Sequence, residues 1–332
     1  LERLARGGWR EFHEGRLGDE ISADLEANGS YVTRADLAQY RPELYPPLEG
    51  SYRGYLVRSN PPPGSGATLI EMLQILEHFD LGRLDHSSAR HIDLVARAMA
   101  AAHVDRNEYL GDPRFADVPS AMLVSRERAA YWAQRIERGE FPGNERQAPP
   151  SCTTQLCTFD ELGNAVSLTH TLGTAAGVVT PGLGFNYNNS MKLFDPIPGR
   201  KNSMAPGKAR TTGMVPTILF RDGKPVLVAG APGGSVIISA TLQAILNVVD
   251  FGMSPVEAVT VPRIHCEGKG IHAEATIQGA VVEALRALGH KVVHSPHSFE
   301  PIMSRAHVIS TLGGRMRGGA DPRGGAGVGY SW

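Results

Sequence analysis

The chain has 332 residues, of which 42% are hydrophobic and 20% are charged, and its formal net charge is -1. This composition is typical of a globular protein with one large domain or two small ones. The chain contains no run of five like charges, so nothing in the charge pattern favours binding to nucleic acid or to an anionic membrane. No apolar stretch reaches the roughly 18 residues of a membrane span.

The cysteines and the chain start carry little functional information. Cys152, Cys157 and Cys266 cannot all pair, and no zinc-ligand spacing accompanies them, so we expect free thiols and no metal. The scattered histidines, among them His170, also lack ligand spacing. The chain starts at Leu1 and no signal peptide is visible, so the location is unknown: periplasmic, secreted and cytoplasmic sites all remain open.

The first half of the chain predicts helices followed by a linker. Residues 69–79 carry apolar side chains at an i, i+3, i+4, i+7 spacing, which predicts an amphipathic helix. Further helices are predicted over residues 88–109 and 125–138. Residues 138–151, rich in proline, glycine and mixed charge, are typical of an exposed linker.

The second half changes to a strand pattern. Hairpins are predicted for strands 155–160 and 165–171, and for strands 218–220 and 226–228 around an Asp-Gly turn. Two amphipathic helices and a last strand follow, over residues 236–250, 277–288 and 307–311. Grouped hairpins beside grouped helices predict an α+β fold, with helices layered on antiparallel sheets.

Thr153 stands where the polar linker meets the first of these strands. A threonine pair that enters a strand is ordinary β-propensity when taken alone. At such a junction, however, the Thr153 hydroxyl could attack the carbonyl of Cys152 and cleave the chain between these two residues. The freed α-amine, with an intrinsic pKa of about 7.7–8.0, would then be the general base for its own hydroxyl. Such a centre requires no metal or organic cofactor.

Gly233 and Gly234 lie between a predicted strand and the apolar helix that follows. Glycines in this place allow a tight turn whose N–H groups, with the helix N-terminus, can bind an anion. In amide hydrolysis that anion is the tetrahedral oxyanion. A plain glycine-rich loop remains an alternative, whereas a dinucleotide site is disfavoured because the G-x-G-x-x-G spacing is absent.

Several motifs in order give the chain a resemblance to the γ-glutamyltranspeptidases. They are TTQLCTFDELGNAVSLTHTLG, GFNYNNSM, GMVPTILFRDGKPVLVAGAPGGS, ILNVVDFGMSPVEAVTVPRIH and a terminal DPR…GY, with DLAQYRPELYPPLEGSYRGY, NPPPGSG and DRNEYLGDP upstream. The resemblance implies an N-terminal-nucleophile fold, an αββα sandwich of two antiparallel sheets between helical layers. Residues 1–152 would be the C-terminal part of the large subunit and residues 153–332 the small subunit, together one composite domain. The early part of the large subunit has no counterpart here.

The resemblance also implies roles for individual residues. Thr153 matches the nucleophile, and Thr171 matches a second threonine that orients it. Gly233 and Gly234 match the oxyanion-hole glycines. Thr169 matches a threonine on the same strand, and because strand side chains alternate, we expect Thr169 and Thr171 both to point toward Thr153, with His170 on the opposite face.

The chain departs from the family where the γ-glutamyl group is recognised. Gly173 replaces an asparagine, Ser190 and Leu193 replace a glutamine and an aspartate, and Thr212-Gly213 replaces a serine pair. An aspartate that becomes a leucine can no longer pair an ammonium. The lid segment 195–206 is also short, which implies a more open cleft.

Basic residues near this lid leave a further question open. Arg200, Lys201, Lys208 and Arg210 could contact an anionic substrate, although a solvated loop is the ordinary explanation. In the helix over residues 88–109, we expect Asp105 and Arg106 to form a structural ion pair.

The sequence therefore predicts an autoproteolytically processed, γ-glutamyltranspeptidase-like amidohydrolase. It would cleave a γ-glutamyl or related amide through an acyl-enzyme on Thr153, with hydrolysis favoured over transfer. The expected partners are a small-molecule amide and the two cleavage products, joined as a heterodimer. The alternatives are an acylase without glutamyl specificity, similar to cephalosporin acylases or oxamate amidohydrolases, and a non-catalytic binding relative.

Overall fold

The computed structural model describes residues 1–143 and 152–330 and divides them between two compact units. One unit comprises Leu1–Pro46 and Ala175–Asn188, and the other comprises Pro47–Thr174 and Asn189–Trp332. The linker predicted over residues 138–151 lies outside the described residues from residue 144 onward. The larger unit contains residues from both sides of the predicted cleavage site.

The smaller unit is helical. Its helices are α1 (Glu2–Gly7), α2 (Trp9–His13), α3 (Arg16–Ala27) and α4 (Arg34–Gln39). The α4 helix begins with a capping box, in which Thr33 accepts from the Asp36 backbone N–H and the Asp36 carboxylate accepts from the Thr33 backbone N–H. A second contact, within the same unit, joins the Thr180 hydroxyl to Asp24 at 2.6 Å.

The larger unit holds a six-stranded antiparallel sheet. Its strands are β1 (Leu48–Tyr52), β2 (Tyr55–Ser59), β5 (Thr217–Arg221), β6 (Lys224–Gly230), β10 (His307–Ser310) and β11 (Arg317–Ala320). Across the sheet they follow the order β1-β2-β5-β6-β10-β11. The Asp-Gly turn joins β5 to β6 as predicted, with positive φ at Asp222 and Gly223.

Helices pack on this sheet and bury most of their apolar faces. The helices of this unit are α5 (Gly66–Glu77), α6 (Ala89–Tyr109), α7 (Ser120–Leu123), α8 (Arg126–Glu137), α9 (Val236–Val249), α10 (Pro255–Thr260) and α11 (Gly279–Ala287). The α5 and α9 helices contact the sheet, and α6 and α8 pack on α5. The predicted helices over residues 69–79, 88–109, 125–138, 236–250 and 277–288 are confirmed, with ends shifted by at most three residues.

A two-stranded hairpin packs against the sheet on β6 and β10. Its strands are β3 (Cys152–Phe159) and β4 (Ala165–Gly173). A separate small sheet contains β7 (Ile264–Cys266), β8 (Ile271–Ala273) and β9 (Val292–His294), with β8 and β9 parallel. The α+β prediction is confirmed. The sequence reading missed the β1–β2 hairpin and this small sheet, whose strands of three residues are too short to show a periodicity.

The terminal Asp321-Pro322-Arg323 motif forms a fully buried ion-pair cluster. Arg323 bonds Glu274 at 2.5 Å and Asp321 at 3.0 Å, and Arg263 bonds Asp321 at 2.8 Å. Arg323 also donates to the carbonyls of Val259 and Val261 at the end of α10. The motif therefore ties the C-terminal segment to α10 and the small sheet.

Replacing Arg323 by leucine should lower the free energy of unfolding by about 3–5 kcal/mol, because it leaves buried carboxylates without their partner. Urea titration measures this change. Arg315→Leu makes the same replacement in an exposed turn and should change the stability by less than about 0.5 kcal/mol. Equal stability of the two variants would contradict a structural role for the cluster.

Candidate active site

The β3–β4 hairpin fixes the position of Thr153. The strands pair antiparallel with Thr153 opposite Thr171, and the register shifts between Cys152 and Thr153. At the other end, Asp160 accepts from the backbone and side-chain N–H of Asn164, at 2.8 and 2.7 Å. This turn sets the register, because a slip of one residue would move every side chain to the other face.

The pairing brings the two threonine hydroxyls into contact. Thr153 Oγ1 donates to Thr171 Oγ1 at 2.9 Å, and Thr171 Oγ1 also accepts from the backbone N–H of Gly173 at 2.9 Å. The hydrogen bond to Thr171 fixes the direction of the Thr153 hydroxyl group.

Thr169 does not reach Thr153, and the expectation that it would is wrong. The strand register places Thr169 opposite Gln155, and its hydroxyl donates to Gln155 Oε1 at 2.6 Å. Gln155 is buried and also donates to Ser167 at 2.9 Å. Thr169 shares a face with Thr171, but the cross-strand partner decides what its hydroxyl contacts. His170 lies on the opposite face and is exposed, as predicted.

The glycine turn before α9 approaches the same site. Gly233 has a φ of 132° and Gly234 a φ of 77°, which are conformations that residues with a Cβ rarely adopt. Ser235 then precedes the first turn of α9. The helix N-terminus adds a partial positive charge at this end of the turn.

Gly213 lies against the carbonyl of Gly234. A Cβ on Gly213 would stand 2.2 Å from the Gly234 oxygen and 2.8 Å from its carbonyl carbon. The serine that the family carries here cannot occupy this backbone arrangement. A side chain at residue 213 would therefore have to displace the Gly234 carbonyl.

Gly173 is in a similar position beside Ser190. Its φ is 71°, and a Cβ there would lie 3.0 Å from Ser190 Oγ and 3.2 Å from Ser190 Cα. An asparagine at residue 173 would force Ser190 to move. The Ser190 hydroxyl in turn accepts from Arg210 Nη2 at 3.3 Å.

A cavity of about 220 Å³ opens beside Thr153. Of the residues predicted from the sequence, five line it: Thr153, Thr171, Thr212, Gly213 and Gly234. Gly173 and Ser190 contact the lining residues Thr171 and Arg210 instead, and Gly233 lies against Ser304. Leu193, which stands at the family's aspartate position, also lines the cavity, with Phe194, Pro196 and Met214 beside it.

The basic residues near the lid have different surroundings in the structure, which the sequence alone could not show. Arg210 lines the cavity, as do Lys192 and Arg106. The other basic residues near the lid have partners of their own: Arg200 pairs with Asp195 at 3.4 Å, Lys201 donates to the carbonyl of Asp117, and Lys208 lies 5.9 Å from the Phe115 ring centroid.

The expected ion pair of Asp105 with Arg106 is replaced by another. Asp105 bonds Arg128 at 2.5 Å and accepts from Trp132 Nε1 at 3.0 Å. Arg106 Nε donates to Ser65 Oγ at 3.0 Å, and Ser65 Oγ donates to the carbonyl of Thr212 at 2.5 Å. Consecutive residues on a helix point in directions about 100° apart, which explains why Asp105 and Arg106 contact different parts of the protein.

Glu267 is a cavity residue that the sequence gave no reason to choose. Burial alone would raise the pKa of Glu267, but the nearby His103, His265 and the Ser235 hydroxyl outweigh it and hold the pKa well below its usual range. His265 Nε2 lies 3.3 Å from its carboxylate. The carboxylate is therefore ionised and held on the Ser235 side of the cavity.

The described part of the chain contains no cluster of three or more His, Cys, Asp or Glu residues arranged to hold a metal ion. Cys157 and Cys266 are free thiols, and burial raises their pKa values to about 11 and about 12. Within residues 1–143 and 152–330, no helix has both the length and the apolar character needed to cross a membrane.

The chain is similar to known proteins over almost its whole length. The Gamma-glutamyltranspeptidase family model matches residues 1–330. The chain is 39% identical over 311 residues to the acylase ACY 1 proenzyme of Pseudomonas sp. (strain V22), covering 89% of this chain and 54% of that protein. It is 34% identical over 345 residues to the glutathione hydrolase proenzyme of Escherichia coli (strain K12), covering 97% and 59%.

Solved structures agree with the sequence relatives. The cephalosporin acylase from Bacillus halodurans superposes with a TM-score of 0.84 at 30% identity, covering 97% of this chain and 60% of that one. The chain thus spans little more than half the length of the relatives that it matches. It belongs to the γ-glutamyltranspeptidase family and has the N-terminal-nucleophile fold of that family.

Proposed function

We propose that this chain carries the catalytic centre of an autoprocessed amidohydrolase, with Thr153 as its nucleophile. The observation that carries the proposal is the Thr153–Thr171 hydroxyl bond of 2.9 Å at the wall of the cavity. Related proenzymes named as acylase and glutathione hydrolase support it. A binding relative without catalysis would have no need for this oriented hydroxyl beside the glycine turn.

Processing begins with attack of Thr153 Oγ1 on the carbonyl carbon of Cys152. The C–N bond breaks, the hydroxyl proton passes to the amide nitrogen, and an ester joins the two residues. Water then hydrolyses the ester and leaves Thr153 with a free α-amine and a free hydroxyl. The peptide bond concerned lies where β3 begins and where the register shifts, so the strand ladder does not hold both of its sides in regular pairing.

The same oxygen then attacks the substrate amide. The α-amine takes the hydroxyl proton and returns it to the leaving amine, while the acyl group stays on Thr153 as an ester. Backbone N–H groups of the Gly233-Gly234 turn stabilise the oxyanion, assisted by the N-terminus of α9. Water releases the acid. The processed chains, ending and starting at residues 152 and 153, remain together as a heterodimer.

A second candidate is an acylase without glutamyl specificity. The observation that favours it is Leu193 on the cavity wall, beside Phe194 and Pro196, where an ammonium would need a carboxylate. Under this reading the chemistry at Thr153 is unchanged and only the acyl group differs. Hydrolysis is favoured over transfer in either case, because the short lid leaves the cleft open to water.

Thr153→Ala should abolish cleavage between residues 152 and 153, because no hydroxyl remains to attack the Cys152 carbonyl. Mass spectrometry of the purified protein detects the split chains. Thr154→Ala, which truncates the exposed neighbouring threonine, should leave cleavage intact. If the Thr153→Ala protein is still split at this bond, Thr153 is not the agent of processing.

Gly213→Ala should lower kcat/KM on the order of 100-fold, because the new methyl group displaces the Gly234 carbonyl and with it the oxyanion donors. Steady-state kinetics with any accepted amide measures the loss, and the melting temperature verifies folding. Gly279→Ala is the matched control, since a Cβ there meets no atom within 4 Å. Full activity of a folded Gly213→Ala protein would remove the glycine turn from the mechanism.

A further inference from the structure

Ser304 has a backbone conformation that is almost exclusive to glycine. Its φ is 72° and its ψ is 177°, and the residue is buried between the 3₁₀ turn Pro301–Met303 and β10. A Cβ in this region of φ and ψ crowds the neighbouring peptide groups, so the conformation persists only where the surroundings enforce it. A serine at this position is therefore strained, whereas a glycine would not be.

The backbone on both sides of Ser304 is held by the buried ion-pair cluster of the C-terminal motif. Arg263 Nη1 donates to the carbonyls of Met303 and Ser304, both at 3.2 Å. Arg263 bonds Asp321 at 2.8 Å, and Asp321 accepts from the backbone N–H of Ala306 at 2.8 Å. These bonds enforce the unusual backbone angles. Because they act on main-chain groups, they would hold a glycine equally well and do not explain the serine side chain.

The Ser304 side chain bonds the glycine turn that precedes α9. Its hydroxyl donates to the carbonyl of Pro232, the residue before Gly233. The two segments are in close contact, because a Cβ on Gly233 would stand 3.1 Å from both Cβ and Oγ of Ser304. The bond to Pro232 is what a serine adds here and a glycine could not.

The Pro232 carbonyl and the Gly233 N–H belong to the same peptide group. That group is planar and trans, so its C=O and its N–H point in opposite directions. A bond that holds the carbonyl toward Ser304 therefore directs the Gly233 N–H away from Ser304. Gly233, with a φ of 132°, and Gly234, with a φ of 77°, have no Cβ to restrict rotation of this group. The Ser304 hydroxyl thus selects one orientation of a peptide group that the two glycines leave weakly restrained.

The other glycine of the turn is restrained by a different contact. The Gly234 carbonyl lies against Gly213, where a Cβ would stand 2.2 Å from the Gly234 oxygen. Gly234 lines the cavity together with Thr153, and Ser304 is not among the described residues that line it. Ser304 therefore reaches the site through the Pro232 carbonyl and not by direct contact.

We propose that Ser304 is a positioning residue for the reaction at Thr153: its hydroxyl holds the Pro232 carbonyl and so directs the Gly233 N–H at the oxyanion. The inference rests on the proposed function, in which the Gly233-Gly234 turn binds that oxyanion. Oxyanion donors are effective when they are oriented before the charge develops, because no reorganisation is then required during the reaction. The strained serine supplies this orientation from outside the turn.

Ser304→Gly removes the hydroxyl and also relieves the backbone strain, so it separates the two effects. It should lower kcat by about 10–100-fold, somewhat less than the loss of a whole oxyanion donor. KM should be unchanged, because the oxyanion is absent from the bound substrate. Acylation and deacylation both pass through an oxyanion, so kcat falls whichever step is slower. The melting temperature should stay close to that of the unmodified protein, because relief of strain offsets the lost hydrogen bond.

Steady-state hydrolysis of p-nitrophenyl acetate measures both constants without requiring a particular acyl group, after subtraction of the rate of the Thr153→Ala protein. Ser304→Ala lacks the same hydroxyl but keeps a Cβ in the strained conformation. It should show the same fall in kcat as Ser304→Gly, together with a lower melting temperature. A rise in KM at unchanged kcat in these variants would contradict a role at the oxyanion.

Ser87→Gly is the matched control for the substitution itself. Ser87 also has a positive φ, 62°, and its hydroxyl also bonds a neighbour, His86, at 3.0 Å. The residue lies outside the catalytic cavity, so Ser87→Gly should leave kcat and KM unchanged. A folded Ser304→Gly protein with the same kcat as Ser87→Gly would overturn the proposal.

Amide hydrogen exchange separates this inference from the proposed function. A peptic peptide that contains residues 231–235, analysed by mass spectrometry, should exchange faster in Ser304→Gly and Ser304→Ala than in Ser87→Gly, because the Pro232–Gly233 peptide group is less restrained. Unchanged exchange would refute the role of Ser304 alone. If exchange is faster but Thr153→Ala hydrolyses the ester as fast as the unmodified protein, the catalytic proposal fails and Ser304 still orders the turn.

Discussion

The register between β3 and β4 is the constraint on which the site depends. It is set at one end by the Asp160–Asn164 turn and read out at the other by the contact between Thr153 and Thr171. Between the two ends, buried Gln155 spans the pair and engages Thr169. A shift of one residue would place Thr153 on the outward face, away from the glycine turn and the cavity. The hairpin therefore converts a local turn preference into the position of one oxygen atom.

The local elements of this fold could be predicted from the sequence because their causes are local. The helix over residues 88–109 shows its apolar period, and the Asp222-Gly223 turn shows its hairpin chemistry. The contact partners could not be predicted in the same way. Alternation along the strand places Thr169 and Thr171 on the same face, so either could contact Thr153. Thr169 pairs with Gln155 across the strands, which leaves Thr171 as the partner of Thr153. Likewise Asp105 has a neighbour in sequence, Arg106, and a different partner in space.

The surroundings of the basic residues near the lid were equally unpredictable from the sequence. Arg200, Lys208 and Arg210 lie within a short segment and are chemically alike, so the sequence assigns them one common explanation. Their environments differ because the chain turns between them: Arg200 pairs with Asp195, Lys208 lies over a ring, and Arg210 lines the cavity. Arg210 is half-buried, and no carboxylate among the described residues bonds it, which leaves a charge partly removed from water without an acidic partner. Neither condition is visible in the order of residues.

Two of the departures from the family pattern, Gly213 and Gly173, lie where another chain segment approaches closely. Gly213 is not an empty serine position, since the Gly234 carbonyl occupies the space of the missing side chain. Gly173 is not an empty asparagine position, since Ser190 lies within 3.0 Å of where its Cβ would be. Restoring the family residue at either place would displace the neighbouring segment before it could bind a substrate. A single substitution toward the family pattern would therefore disturb the Gly233-Gly234 turn or Ser190, because the space that the new side chain needs is already filled.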